Sequence, residues 1–176
     1  MRDGWVYIHP TPDGPPIETG ISQVEADYLQ EMARGKRVLE IGSAFGGSTV
    51  SMALTASEVW AVDPHEAIKG SYGTLTDNLR RYGVRFKVHI LVHASEVILP
   101  TLIWRNHFSF DLVFIDGDHS AAAVERDALN AMKLAPLLIF HDYGSSEPEV
   151  APVLDRIFPA ESYGRDVHGY LLTIRL

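Results

Sequence analysis

Cysteine is missing altogether from the 176-residue chain. That excludes disulfides, thiolate zinc sites and any cysteine nucleophile, and it fits a reducing compartment. Long apolar runs are missing too. The longest, such as the seven residues Leu134 to Phe140, fall far short of the roughly 20 needed to cross a bilayer, so no membrane partner is expected. Positive charge is scarce, with 15 Lys and Arg against 23 Asp and Glu, a formal balance of −8. An acidic surface repels phosphate backbones, so nucleic acid is not expected as the main partner. The first residues lack a basic-then-apolar leader pattern, and a cytoplasmic protein is expected. What is present is ordinary for a globular chain, 46% apolar and 22% charged, and the length suits one domain spanning 1–176.

Residues 1–20 carry Pro10, Pro12, Pro15 and Pro16 with Gly4, Gly14 and Gly20, and are expected to be irregular, wrapping the domain or covering a site. Ser22 and Glu25 then form a capping box for a helix within 21–35, which Gly35 can end. Strands and helices alternate from there. Short apolar runs predict strands at 37–41, 58–63, 86–92, 110–116 and 137–142. Helices are expected at 46–56, 75–82, 97–104, 120–132 and 152–158, with Pro100 in the first turn of its helix and Pro152 at the start of the last. The chain ends on the β-prone GYLLTIRL. Such alternation implies an α/β protein with a parallel sheet, helices on both faces and right-handed, doubly wound crossovers. Ligands of these sheets bind beyond the carboxyl ends of the strands.

Those ends carry the chemistry-bearing residues. After the first strand of the alternation comes VLEIGSAFGGST, in which Gly42, Gly46 and Gly47 allow a tight turn and close approach of a ligand. Ser43, Phe45, Ser48 and Thr49 lie in the same loop and helix start, where free N–H groups favour a carboxylate or phosphate. The G-x-G-x-x-G spacing of a dinucleotide site is absent. Asp63 ends the second strand, 23 residues after Glu40, and a carboxylate there can accept both hydroxyls of a ribose. In HASEVILP, Ala94 leaves room for a flat ring, while Ser95 and Glu96 offer polar groups and Ser95 can also cap the next helix. FIDGDH gathers Asp116, Asp118 and His119, and FHDYG adds His141 and Asp142 at the neighbouring strand end. Two carboxylates facing one opening suit Mg²⁺ or a general base, and either histidine can take a proton.

In this order the motifs resemble the class I S-adenosylmethionine-dependent methyltransferases over roughly residues 18–176. The resemblance is nearest to a bacterial small-molecule O-methyltransferase family with FIDGDH and HDY at these strand ends. It extends more distantly to the metal-dependent catechol-type O-methyltransferases. It implies a Rossmann-like, mainly parallel seven-stranded sheet with an antiparallel C-terminal strand. It further implies S-adenosyl-L-methionine as cofactor, bound by Glu40, Gly42, Ser43, Phe45, Gly46, Ser48, Asp63, Ala94, Ser95 and Asp116. Pro100 matches the proline that follows the Ala-Ser step in that family. The acceptor is then an oxygen of a small molecule, with Asp116, His119, His141 and Asp142 as catalytic residues.

By the same resemblance Asp116 and Asp142 hold a divalent cation such as Mg²⁺. His119 stands where the catechol-type enzymes have a lysine, and Tyr143 where they have an asparagine ligand. The family's Gly-Gly before the fifth strand is replaced by Ala135 and Pro136. His9, His89 and His107 are read as ordinary structural or surface residues, and partly exposed Trp5, Trp104 and Phe108 suggest a homodimer. The competing readings are an NAD- or nucleotide-dependent Rossmann enzyme and a non-catalytic cofactor-binding subunit. A nucleic-acid methyltransferase is disfavoured: DGDH stands where adenine enzymes carry an Asp-Pro-Pro-Tyr-like motif, and cytosine-C5 enzymes need a cysteine.

Overall fold

The computed structural model describes residues 5–105 and 109–176; Gly4, His107 and Phe108 lie outside the described residues. Five strands form the parallel body of the sheet: β3 (Arg37–Ile41), β4 (Glu58–Val62), β5 (Val88–Leu91), β6 (Leu112–Ile115) and β7 (Leu137–Phe140). With β8 (Gly164–His168) and β9 (Leu171–Arg175) they line up in the order β5-β4-β3-β6-β7-β9-β8. In this sheet β9 runs against the other six strands, antiparallel to both β7 and β8, as expected of the C-terminal strand. The chain reverses its direction of travel across the sheet between β3 and β6, the switch point where an open α/β sheet leaves a crevice.

Side chains alternate across the sheet as the pleat requires. Val38, Leu112, Phe114 and Ile139 face one helical layer, made of α1 (Gln23–Met32), α2 (Gly47–Thr55) and α3 (Ser71–Arg81). Leu39, Ile41, Val113, Ile115 and Phe140 face the other, made of α4 (Ser95–Trp104), α5 (Ala121–Ala131) and α6 (Val150–Ile157). With both faces covered, the strands can be continuously apolar, which is how they read in the sequence. Both arms of the Ser22–Glu25 capping box form, and Gly35 is left-handed at φ 70° just beyond α1.

Several expectations need correction. Residues 1–20 are not irregular throughout: β1 (Val6–Ile8) and β2 (Ile17–Thr19) pair as an antiparallel hairpin, with Val6 opposite Thr19. Buried Ile8, Ile17 and Ile21 anchor it in the core beside α1, which outweighs the local preference of its prolines. Helix α3 starts at Ser71 rather than 75, because its buried face includes the polar Ser71 and Asn78. Asn78 donates 2.9 Å to the Phe45 carbonyl and so belongs to the interior. Helix α4 starts at Ser95, which leaves Pro100 inside it instead of in its first turn; Leu99 and Leu102 bury against the sheet on either side of that proline. Ser95 is therefore the first helical residue and not the cap, which is Ala94. Strand β8 follows no apolar run. No helix among the described residues is long and apolar enough to cross a membrane.

Candidate active site

A cleft of about 800 Å³ opens over the carboxyl ends of the parallel strands. Its floor begins where β3 ends. Gly42 holds φ 87°, and a Cβ there would lie 1.9 Å from the Asp116 carbonyl oxygen; the backbones after β3 and β6 touch at this point. The loop is held from the side by Asp63. One carboxylate oxygen accepts the N–H groups of Ser43 (3.0 Å) and Ala44 (2.8 Å), and the other accepts the His65 N–H (2.6 Å). Asp63 thus anchors the glycine loop and still lines the cleft, as do Gly42, Ser43, Ser48 and Ala94. The Ser43 hydroxyl is buried without a hydrogen-bond partner among the described residues.

Other loop residues sit behind this surface. Glu40 is fully buried, accepting the hydroxyls of Ser48 (2.5 Å) and Thr49 (2.6 Å). Those two hydroxyls are donated to Glu40. Burial pushes the Glu40 carboxyl from 4.5 up to about 8, despite these bonds and with Asp116 and Asp63 adding repulsion. Phe45 is 8% exposed and meets the Trp5 ring edge-on at 5.2 Å. Glu40, Phe45 and Gly46 are not on the cleft wall, whereas Trp5, Thr19 and Gly20 of the N-terminal segment are. Ser95 lines the cleft with its hydroxyl donated to Asp127 at 2.9 Å.

The raised pKa of Glu40 has a stability consequence. Because its folded value lies above its ordinary one, its contribution is complete below about pH 4.5 and is lost as pH rises through about 8. Glu40→Gln removes that dependence. Thermal unfolding should show the variant gaining on the parent from pH 5 to about pH 8, by about a few degrees in Tm, and levelling off above that. Parallel curves would show that Glu40 is ionised throughout.

At the other end of the cleft β6 and β7 bring together Asp116, His119 and Asp142, whose donor atoms lie within 4.8 Å of one another. His119 Nε2 is 3.1 Å from Asp142 and 3.6 Å from Asp116, close but not aligned as a hydrogen bond. Asp116, with Asp142 and Glu147, raises the His119 imidazole above its ordinary value against the effect of burial. His141 is different: it is 7% exposed, and its Nδ1 lies 3.0 Å from Asp142 and 3.3 Å from Asp116. Burial acts to lower its pKa, but Asp116, Asp142 and Glu25 overcome it and push the value up to about 12. Burial would likewise raise Asp116, yet His141 and His119 hold it well below the usual carboxylate range. Asp142 adopts φ 61°, a left-handed turn that aims its carboxylate back at this cluster. Tyr143 turns away from the cluster. Its hydroxyl donates to Asp155 (2.9 Å) and accepts from Arg165 (2.7 Å).

The switch-point cleft and its glycine loop define a Rossmann-like α/β protein of the cofactor-binding class. The chain belongs to the methyltransferase domain family, whose model matches residues 39–143, more than half of its length. Among solved structures, an O-methyltransferase from Bacillus cereus in complex with SAH superposes with a TM-score of 0.69 at 20% identity, over 89% of this chain and 82% of that one. The O-methyltransferase TomG from Streptomyces achromogenes, involved in tomaymycin synthesis and solved with SAM, gives 0.69 at 20% over 89% and 80%. Cofactor-bound Rv0187 from MTB gives 0.69 at 22% over 88% and 80%. At such identities the likeness establishes the fold. No curated protein matches the chain.

Proposed function

We propose that this chain transfers a methyl group from S-adenosylmethionine to an oxygen of a small molecule. The observation that carries the reading is one continuous cleft joining the glycine loop and Asp63 to the Asp116–His119–Asp142 cluster. The residues fit the cofactor. Gly42 lets the backbones after β3 and β6 meet at the cleft floor, the buried Ser43 hydroxyl has no hydrogen-bond partner among the described residues, and Asp63 keeps lone pairs beyond those used by the loop. Gly42 to Ala44, Asp63 and Ala94 would hold it, and the bound sulfonium supplies an electrophilic methyl carbon. The protein's share is to align the acceptor oxygen and remove its proton. Alignment is worth about 7–11 kcal/mol and a placed base about 10²–10⁴-fold.

The donor set at the acceptor end, two carboxylates and one imidazole, fits a divalent cation, which would lower the acceptor's pKa. A second reading, with His119 as general base oriented by Asp142, rests on the 3.1 Å contact between them. In this second reading His141 faces the same carboxylates, which hold it charged, so His119 and not His141 serves as the base. The absence of cysteine supports a cytoplasmic setting. For assembly, Phe108 lies outside the described residues and Trp5 packs on Phe45, so a dimer rests on Trp104, 83% exposed, beside exposed Val97 on α4. Light scattering should give twice the monomer mass; a monomer at high concentration removes this part.

Calorimetry tests the cofactor. S-adenosylhomocysteine should bind with micromolar affinity. Asp63→Ala should weaken it at least about tenfold, the cost of about 1.4 kcal/mol in lost ribose and loop contacts. Asp63→Asn, which keeps one oxygen for the Ser43 and Ala44 N–H groups, should lose less. No heat at millimolar ligand would refute the reading.

A further inference from the structure

Glu25 belongs to the capping box of α1 and to none of the strand-end motifs above, yet it touches the site from behind. It lies in the first turn of α1 and is 2% exposed. One oxygen accepts both the N–H and the hydroxyl of Ser22, each at 2.8 Å, and the other accepts the Tyr170 N–H at 2.8 Å from the β8–β9 turn. The Ser22-bound oxygen is also 3.7 Å from Nε2 of His141. No hydrogen-bond partner among the described residues reaches that buried nitrogen. The opposite nitrogen of the same ring faces Asp142 and Asp116.

We propose that Glu25 is a positioning residue: through the His141 ring it fixes the orientation of the Asp116 and Asp142 carboxylates. A capping box alone does not call for this residue in this place. Glutamine completes a capping box as well, and burying a carboxylate is costly unless a positive group answers it. Ser22 and Tyr170 donate hydrogen bonds to the Glu25 carboxylate, and the His141 ring adds a nitrogen 3.7 Å away. An imidazole can sit in either of two orientations related by a half-turn about its Cβ–Cγ bond, one presenting nitrogen and the other carbon to a given neighbour. Nδ1 reaches both site carboxylates only when Nε2 points at α1, and Glu25 is what makes that end of the ring a polar place. The fold makes room for it: a Cβ at Gly169, which has φ 63°, would fall 2.8 Å from the Glu25 carboxylate. The β8–β9 turn is therefore glycine where it closes over this group.

The kinetic part of the proposal rests on the methyl-transfer reading; the ring orientation does not. The test compares Glu25→Gln with Tyr28→Phe, which loosens α1 elsewhere by removing a 2.9 Å bond to Thr173. Long-range ¹H–¹⁵N spectra of the full chain, labelled on histidine, report both His141 ring nitrogens. Glu25→Gln should shift them and Tyr28→Phe should not. Glu25→Gln should also lower kcat about tenfold or more, typical of groups one contact removed from a reacting centre, with the acceptor KM and S-adenosylhomocysteine affinity within about threefold. If Glu25→Gln does not fold, Glu25→Asp, which keeps the charge and shortens the reach, should move the same signals in a smaller degree. Unmoved His141 nitrogens overturn the proposal whatever the reaction is. Moved nitrogens with unchanged kcat overturn the positioning role. Failure of S-adenosylhomocysteine to bind the parent overturns the function instead and leaves the ring assignment standing.

Discussion

Asp142→Asn should lower turnover by about 10²–10⁴-fold, the range spanned by loss of a proton-transfer group, while S-adenosylhomocysteine affinity stays within a few fold. Asparagine is the informative replacement. Asp142 sits at φ 61°, a region asparagine tolerates, so shape and backbone survive and only the charge is lost. That charge lies 3.1 Å from His119 and 3.0 Å from His141, so its removal disarms both readings of the cluster. Asp116→Asn should act alike, since Asp116 contacts the same two rings from β6. Turnover is read as S-adenosylhomocysteine released with an accepted hydroxyl acceptor. A chelator then separates the mechanisms: arrest reversed by Mg²⁺ or Mn²⁺ supports a bound cation, and full activity in chelator leaves His119 as the base. Electron paramagnetic resonance of added Mn²⁺ gives a second readout without an acceptor; signal loss on binding should be seen in the parent and not in Asp142→Asn. Undiminished turnover in both variants would return these acids to a role in turns.

The residues of that cluster were legible because each follows directly on an apolar strand, and strand ends in a doubly wound sheet converge. The five parallel strands were legible for the same physical reason: buried on both faces, they are unbroken apolar runs. Strand β8 was not, since GRDVH is an edge strand exposed along most of its length and carries no such run. The β1–β2 hairpin was hidden by four prolines, although Ile8 and Ile17 bury completely. Glu25 could be read as half of a capping box, but its approach to His141 joins residues 116 positions apart and depends on how α1 lies against β7. Glu40 shows a different limit. Its pattern matched a cofactor loop, yet the pleat directs it to the α2 side, where Ser48 and Thr49 close over it.

Gly42→Ala should be the most damaging small substitution in the chain. Two costs meet at this position. The first is dihedral: an L-residue at φ 87° pays about 1–2 kcal/mol for its Cβ. The second is contact, since that Cβ would sit 1.9 Å from the Asp116 carbonyl oxygen and 2.6 Å from its carbonyl carbon. Backbone cannot yield as a flexible side chain does, so the ends of β3 and β6 must part. Gly35→Ala isolates the first cost. Gly35 also has a positive φ, 70°, but an added Cβ there meets nothing within 4 Å. The Gly35 variant should lose about 1 kcal/mol and retain cofactor binding. The Gly42 variant should lose about 3 kcal/mol or more, or fail to accumulate as folded protein. Where it does fold, separation of the strand ends displaces Asp116 from His141 and His119 and opens the loop that Asp63 holds. Cofactor affinity and turnover should then fall together, unlike the Asp142→Asn case, where binding persists. Equal losses from the two glycine variants, measured by denaturant unfolding, would mean that the strand ends can separate at little cost and that the touching backbones at the switch point do not set the geometry of the cleft.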